Sequence, residues 1–178
     1  MIYPRAVLTL AIEATNPSVP TPGVLLADEA RVLRESALRA DGRHDDVLLP
    51  AIAALLRAYQ ATPGDLDEII VSIGPGGFTA TRLACVAAAM LAEMADARLI
   101  AVPTPAVAAA SLDASDVSQR PIVVVMASKG EQAFVARESG RDADRRDPNS
   151  GGAGRSMSSD ALVEVLRSDD VLISDDRM

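Results

Sequence analysis

The feature that most constrains this chain is a glycine-rich turn between two segments of opposite character. Residues 69–73 read IIVSI, a β-branched stretch typical of a buried strand, and a helical pattern begins near Phe78. The residues between them, 74–77, read GPGG and continue neither a strand nor a helix. The sequence therefore predicts a tight strand-to-helix turn at this point.

Such a turn has two uses, which the sequence alone leaves open. Its amides and the helix N-terminus can hold an anion, or its small residues can let the helix pack close to the sheet. No Lys-Ser or Lys-Thr pair of a P-loop follows, and a threonine fills the third glycine position of G-x-G-x-x-G. Close packing is the favoured interpretation. The alternative is an anion or nucleotide contact at Gly74, Gly76, Gly77, Thr79 and Arg82.

Size and composition exclude several classes of protein. The 178 residues suit one domain or two small halves, and 49% of them are hydrophobic, with no Trp and only two Phe. A net charge of −8 argues against direct binding to a nucleic-acid backbone, which needs a basic surface. The N-terminus reads as a first core strand rather than a signal, and we expect a cytoplasmic protein without a membrane span.

The hydrophobic periodicity predicts an α/β order of elements in the first part of the chain. Three strands come first, followed by a helix that begins near Asp45 or Asp46 and ends by Thr62. A strand, a helix, a strand and a short helix follow. The predicted strands cover 6–13, 24–28, 32–38, 68–73 and 98–102, and the last two helices cover 79–94 and 106–112.

The second part of the chain reads as a shorter copy of the same plan. Residues 121–126 form a buried strand with a hairpin partner at 132–138, and a short helix at 160–166 precedes a strand at 171–173. Between them, residues 140–159 are rich in Gly, Ser, Asp and Arg and predict a flexible loop. We therefore expect a complete N-terminal lobe at 1–112 and an abbreviated second lobe at 113–178.

Few residues are candidates for catalysis or metal binding. His44 is the only histidine, so a site with two histidine ligands is excluded, and no serine lies in a G-x-S-x-G turn. Cys85 lies in an apolar run and is expected to be a buried, inert thiol. Glu13 ends the first strand, where an acidic residue could serve a nucleotide-metal site. We nevertheless predict no catalytic residue, no metal and no cofactor.

The second long helix is apolar around its whole circumference, reading LACVAAAMLA over 83–92. A helix that covers one face of a sheet needs only one apolar stripe. The first helix also has a wide stripe. The sequence therefore predicts that both helices form a surface for protein association, or that later segments of the chain cover them. The residues predicted for this interface are Leu48, Ile52, Leu55, Tyr59, Leu83, Ala84, Ala87, Ala88 and Leu91.

These segments resemble the bacterial tRNA threonylcarbamoyladenosine biosynthesis family TsaB, also called YeaZ or glycoprotease-like. IGPGGFTATR at 73–82 resembles the family's IGPGSFTGLR, and RHDDVLLPAI at 43–52 resembles R-H-S-E-x-L-L-P-x-I. LAIEAT at 10–15 is similar to its L-A-I-D-T-A-T. The resemblance covers about residues 6–112. It departs at Gly77 in place of serine, at Ala80 in place of glycine and at Glu13 in place of aspartate.

The resemblance implies an actin-like, sugar-kinase-like (ribonuclease H-like) α/β fold and a role without catalysis. Family members pair, through the two helices of the first lobe, with themselves or with the threonylcarbamoyltransferase TsaD, and the ATPase TsaE joins the complex. We therefore expect a non-catalytic partner of a TsaD-like protein in modification of adenosine 37 of tRNA, dimeric when alone. The alternatives are a small enzyme of this fold, such as a peptidase or a kinase, and a homodimer without a role in tRNA modification.

Overall fold

The computed structural model of this chain describes several separate stretches. They are residues 6–15, 22–29, 31–38, 44–112, 121–128, 132–138, 154–158, 161–162, 164, 166 and 171–174, with only the backbone given at 44–46, 127 and 174. Some predictions lie outside these residues: the loop at 16–21, the link at 113–119, most of the flexible loop at 140–159, and the side chains of His44, Asp45 and Asp46.

A five-stranded sheet and three helices make up the first part of the chain. The strand order is β3-β2-β1-β4-β5, with β1 antiparallel to β2, β2 antiparallel to β3, and β4 parallel to both β1 and β5. The predicted elements are confirmed to within about two residues at each end. The strands are β1 Leu8–Glu13, β2 Gly23–Asp28, β3 Arg31–Ala37, β4 Glu68–Ser72 and β5 Arg98–Val102, and the helices are α1 His44–Ala58, α2 Phe78–Ala95 and α3 Thr104–Ala110.

The main core lies between one face of this sheet and the pair α1 and α2. Side chains alternate across a strand, so every second residue of the central strands points to the helices. Those residues are aliphatic and buried. They are Leu10, Ile12, Val24, Leu26, Ile69 and Val71, and they pack in one cluster with Leu48, Ile52, Leu55 and Leu56 of α1.

A second sheet follows, with the order β8-β7-β6-β9. Its strands are β6 Ile122–Ala127, β7 Gln132–Glu138, β8 Arg155–Ser158 and β9 Val171–Ser174. The hairpin of β6 and β7 is confirmed, and β9 pairs parallel to β6 as the last strand. Residues 161, 162 and 164 are helical, within the predicted short helix.

Strand β8 is the main difference from the predicted elements. Residues 155–158 were expected to belong to a flexible loop, but they pair antiparallel with β7, with Phe134 opposite Ser156. Gly154 precedes the strand and lies against the Phe134 ring, because a Cβ at Gly154 would come within 2.0 Å of it. The polar sequence RSMS suits an edge strand that is only partly buried, and its composition therefore resembles that of a loop.

Helix α3 contacts both parts of the chain. Its first residue, Thr104, is fully buried and bonded to residues of the first sheet, whereas Ala108 packs against Ile122, Val124 and Met126 of β6. One short helix thus fixes the end of the first sheet next to the core of the second. This position places the C-terminal ends of β1 and β4 at the junction of the two sheets.

Candidate functional site

The glycine turn packs directly against the end of β1. A Cβ at Gly76 would lie 2.1 Å from the carbonyl oxygen of Thr15, so only glycine fits there. Gly77 N donates a hydrogen bond to the same oxygen, at 2.8 Å. Gly74 has a φ of +93°, a conformation that glycine adopts without strain. The sequence GPGG is therefore explained by close approach of the turn to β1.

Three buried hydroxyl groups meet beside this turn. Thr15 Oγ1 lies 2.7 Å from Thr104 Oγ1 and 3.0 Å from Ser72 Oγ, and those last two oxygens are 2.7 Å apart. Thr15 also donates to Glu13 Oε1, both from its backbone N and from its hydroxyl, at 2.7 Å each. Because each hydroxyl both donates and accepts, the cluster joins β1, β4 and α3 by hydrogen bonds. We call Thr15, Ser72 and Thr104 the hydroxyl cluster.

This geometry favours the packing interpretation of the turn over an anion site. Gly76 and Gly77 are engaged with Thr15, and Arg82 contacts a neighbouring side chain. Its guanidinium lies over the ring of Phe78, 5.9 Å from the centroid, in a cation–π arrangement. Thr79 is exposed in the first turn of α2. An anion contact at these residues stays a prediction.

The fully buried residues of helix α2 are all alanine, and Leu83 and Leu91 pack half-buried against the same core. The buried residues recur at spacings of three or four and face the sheet. Alanine side chains let the helix axis come close to the strands behind it. The helix is also the one in the described part of the chain that is long and apolar enough to cross a membrane, but a core helix passes the same test. The buried residues are Ala80, Ala84, Ala87, Ala88 and Ala92.

The large apolar side chains of α2 point away from the core. Phe78 is 78% exposed, Met94 69%, Met90 60% and Val86 50%. Successive members of this set lie four or eight residues apart, so they form one slightly oblique stripe along the helix. We call Phe78, Val86, Met90 and Met94 the α2 stripe. Water-soluble helices usually bury such residues, so the α2 stripe is a candidate for contact with another molecule.

Helix α1 packs beside α2. Its exposed residues differ from those of α2 in being mostly small. Leu48, Ile52, Leu55 and Leu56 are buried in the core. The exposed positions are mostly small, apart from Leu49 and Arg57, so this face is flat beside the projecting α2 stripe. The small exposed residues are Pro50, Ala53, Ala54 and Ala58. The exposed faces of the two helices are largely apolar, with Arg57, Arg82 and Glu93 also exposed on them, and we call them together the helix-layer surface.

The structure divides the predicted interface residues between the core and the surface, and whether any of them contacts a partner stays a prediction. The structure buries six of them inside the protomer's own core, where they cannot form a surface: Leu48, Ile52, Leu55, Ala84, Ala87 and Ala88. Leu83 and Leu91 are half-buried and pack against that core, and Tyr59 is exposed just beyond α1. Sequence reasoning missed the α2 stripe and Leu49. Side-chain size gave only a weak signal, because alanine also occurs on the exposed arc, at Ala89, and Leu83 and Leu91 lie toward the core.

The remaining candidates are the thiol of Cys85, a metal site and His44. Cys85 is half-buried in α2, and burial raises the pKa of its thiol, which keeps it protonated near neutral pH. Among the residues that the structure describes, no three His, Cys, Asp or Glu side chains lie close enough to hold a metal ion. The imidazole of His44 is outside the described residues.

Comparison with known proteins identifies the family. The sequence model of the family described as TsaD, tRNA N6-adenosine threonylcarbamoyltransferase, matches residues 38–150, which is more than half of the chain. This chain belongs to that family, among its TsaB/YeaZ members. The resemblance stated from the sequence is thereby confirmed. The matched residues include α1, the glycine turn and α2, which form the surface described above.

Two curated relatives give the degree of sequence similarity. The chain is 33% identical over 93 residues to the tRNA threonylcarbamoyladenosine biosynthesis protein TsaB of Bacillus subtilis, covering 52% of this chain and 39% of that protein. It is 35% identical over 80 residues to an uncharacterised protein of Mycobacterium tuberculosis, covering 45% of this chain and 37% of the relative. The aligned part thus spans about two fifths of these relatives' length.

The fold is that of a solved YeaZ structure. The YeaZ protein of Pseudomonas aeruginosa superposes with a TM-score of 0.66 at 19% identity, covering 85% of this chain and 67% of that protein. With two sheets in the order given above, the expected α/β fold of the actin-like, sugar-kinase-like kind is confirmed. The assignment of residues 1–112 and 113–178 to a complete and an abbreviated lobe stays a prediction.

Proposed function

We propose that this chain is a non-catalytic partner protein in the biosynthesis of threonylcarbamoyladenosine in tRNA. In this proposal it binds a TsaD-like transferase through the helix-layer surface, with a TsaE-like ATPase joining the complex, and it forms a homodimer when alone. The single observation that supports it is the exposure of the α2 stripe, from Phe78 to Met94. A protomer gains nothing from such residues in water, so a partner that covers them gains stability.

The shape of the helix-layer surface suits a helical partner or a second copy. Projecting Phe, Val and Met side chains on α2 lie beside the small residues Ala53, Ala54 and Ala58 on α1. In a two-fold dimer the same surface faces itself, so the α2 stripe of one copy would pack on α1 of the other. Methionine adapts to differently shaped partners, which fits a surface that serves both a homodimer and a transferase.

A role without catalysis is in keeping with the side chains of this chain. Family members that transfer the threonylcarbamoyl group carry an H-x-x-x-H metal motif, and this sequence has a single histidine. The net charge of −8 suits a protein that leaves contact with tRNA to its partners. No described feature favours peptidase or kinase activity.

Co-purification tests the proposal directly. The chain is co-expressed with the TsaD-like protein of its own organism and isolated by affinity chromatography. Val86→Glu places a charge in the α2 stripe and should reduce recovery of the partner at least tenfold, because a buried, unpaired charge costs several kcal/mol at an interface. Val32→Glu is the matched control, since Val32 is equally exposed but lies on β3.

Complementation provides the functional readout. The chain, with its own TsaD-like partner, should restore threonylcarbamoyladenosine in tRNA of a bacterium depleted of TsaB, measured by mass spectrometry of nucleosides. The Val86→Glu variant should fail and the Val32→Glu variant should succeed. Failure of the unmodified chain, together with no recovery of the transferase, would contradict the proposal. Turnover by the isolated chain would favour an enzyme instead.

A further inference from the structure

The face of the first sheet opposite α1 and α2 contains a cavity of about 370 Å³. Along β1 and β4, Ile12 and Val71 point into the helix-covered core, whereas Ala11 and Ile70 point to this other face. The cavity is therefore separated by the sheet itself from the helix-layer surface. It lies in the size range of sites for small molecules.

Small residues at the centre of the sheet create this cavity. Gly23 of β2 is paired with Glu13 on one side and with Ala37 on the other, and in the next row Leu25 is paired with Ala11. Side chains of paired residues stand on the same face of the sheet. A depression at Ala11, Gly23 and Ala37 is thus bordered by larger apolar groups. The border includes Leu25, Ile70, Val102 and, from α3, Val107.

The charged groups of the lining are carboxylates. Glu35 of β3 lies opposite Leu25, is exposed, and stands at the edge of the cavity. Glu13 lies at the other end, with Oε1 held by Thr15. Among the described residues that line the cavity there is no Lys, Arg or His. A ligand with negative charge would meet repulsion here, whereas a cation would be attracted.

We propose that this cavity binds a small organic cation with an apolar body, such as a primary amine that carries an aromatic or branched aliphatic group. The apolar body lies on Leu25 and Ile70, where its burial provides the main attraction. The ammonium group is directed to the Glu35 carboxylate at the rim. A free anion of similar size would be bound less well, because it lacks an attraction to these carboxylates.

A titration with two matched probes tests this site on the full chain. Phenethylamine and 3-phenylpropionate share a ring and a short linker but differ in the sign of their charge. The amine should give saturable NMR shifts at the amides of Ala11, Leu25 and Ile70. Its affinity should exceed that of the carboxylate about fivefold or more, the upper range for one exposed ion pair. Equal binding of the carboxylate, or no saturable shift with the amine, would overturn the proposal.

Three variants test whether the preference for the amine arises at this cavity. Glu35→Lys should reverse the preference between the two probes, and Glu29→Lys, with the same change of charge at an exposed turn outside the cavity, should leave the preference unchanged within about twofold. Ala37→Leu fills the cavity from an exposed position and should weaken binding of the amine at least tenfold. If a thermal melt shows that Ala37→Leu is not folded, the comparison of Glu35→Lys with Glu29→Lys still tests the proposal.

The cavity and the helix-layer surface can be tested independently. Loss of amine binding leaves recovery of the TsaD-like protein unaffected, because that test uses Val86 on the other side of the sheet. Conversely, a chain that does not bind the transferase can still bind the amine. An unchanged probe preference in Glu35→Lys would contradict the cavity proposal alone.

Discussion

Helices α1 and α2 lie side by side on the same sheet, yet they distribute their side chains in opposite ways. α1 buries four large aliphatic residues and exposes mostly small ones, as a covering helix normally does. α2 buries five alanines and exposes Phe78, Val86, Met90 and Met94. The total apolar content of the two helices does not reveal this difference. It depends on which arc of each helix faces the sheet.

The contrast indicates two different requirements on the two helices. α1 supplies volume to the core, so its inner residues are large. α2 begins at the glycine turn, where Gly76 lies against the backbone of Thr15, and its fully buried side chains are all alanine. Leu83 and Leu91 are half-buried against the core, whereas the α2 stripe is left exposed. The exposure of this stripe is the observation on which the proposed interface rests.

Among the substitutions that test this contrast, Gly76→Ala should lower the free energy of unfolding most. A Cβ at this position would lie 2.1 Å from Thr15 O, and the backbone of β1 cannot move away without disturbing the sheet. We expect a loss of about 3 kcal/mol or more in the free energy of unfolding, the upper end of the cost of overpacking. Urea denaturation measures it. Gly64→Ala, where a Cβ has no neighbour closer than 3.9 Å, is the control, with a change below about 1 kcal/mol.

Ala88→Leu tests the inner arc of α2. Ala88 is fully buried, so three additional carbon atoms must displace the neighbouring core, at about 1–3 kcal/mol. Ala89→Leu, on the exposed side one residue further along, should change the free energy of unfolding by less than about 0.5 kcal/mol. If both variants were equally stable by urea denaturation, the close packing of α2 inferred above would be wrong.

Thr104→Val removes one member of the hydroxyl cluster while keeping the shape of the side chain. Thr15 and Ser72 would each lose a hydrogen-bonding neighbour in a buried position, which costs about 1–2 kcal/mol. Thr79→Val, an exposed hydroxyl in the first turn of α2, is the control and should cost less than about 0.5 kcal/mol. Equal melting temperatures for the two variants would mean that the cluster does not stabilise the junction.

The smallest effect on the free energy of unfolding should come from a substitution in the exposed α2 stripe. Met90→Gln keeps a side chain of similar length at an exposed position, so unfolding measured at low protein concentration should change by less than about 0.5 kcal/mol. Under the proposed self-association, the unmodified chain should dissociate on dilution and the variant should dissociate at higher concentration. Analytical ultracentrifugation compares the two. An unchanged dissociation constant would show that Met90 does not contribute to self-association.

Most of the fold could be predicted from the sequence because its signals are local. The GPGG turn breaks both neighbouring elements, and the apolar runs of β1, β4 and β6 are too regular to be loops. Strand β8 was missed because RSMS lies at an edge and lacks the apolar alternation of a buried strand. The sequence favoured a packing role for the glycine turn, since no P-loop lysine follows it.

The candidate site was predicted only in outline. The sequence identified α1 and α2 as the elements with excess apolar surface, but it assigned Ala84, Ala87 and Ala88 to that surface instead of the α2 stripe. The cavity beside Ala11 and Gly23 gave no signal, because it arises from pairing between distant strands. The register of strand pairing places these small residues in adjacent rows. That register exists only once the sheet has formed, so the sequence alone does not show it.

By itself the sequence determined the order of strands and helices, the position of the tight turn and the family resemblance, because each depends on neighbouring residues along the chain. Only the tertiary structure decided which arc of α2 is buried. The run LACVAAAMLA has no polar side to mark the outside, so periodicity alone cannot orient it. The close approach of Gly76 to Thr15, 61 positions apart in sequence, places the start of α2 against the end of β1, and packing on the sheet then buries the arc of Ala80, Ala84, Ala87, Ala88 and Ala92.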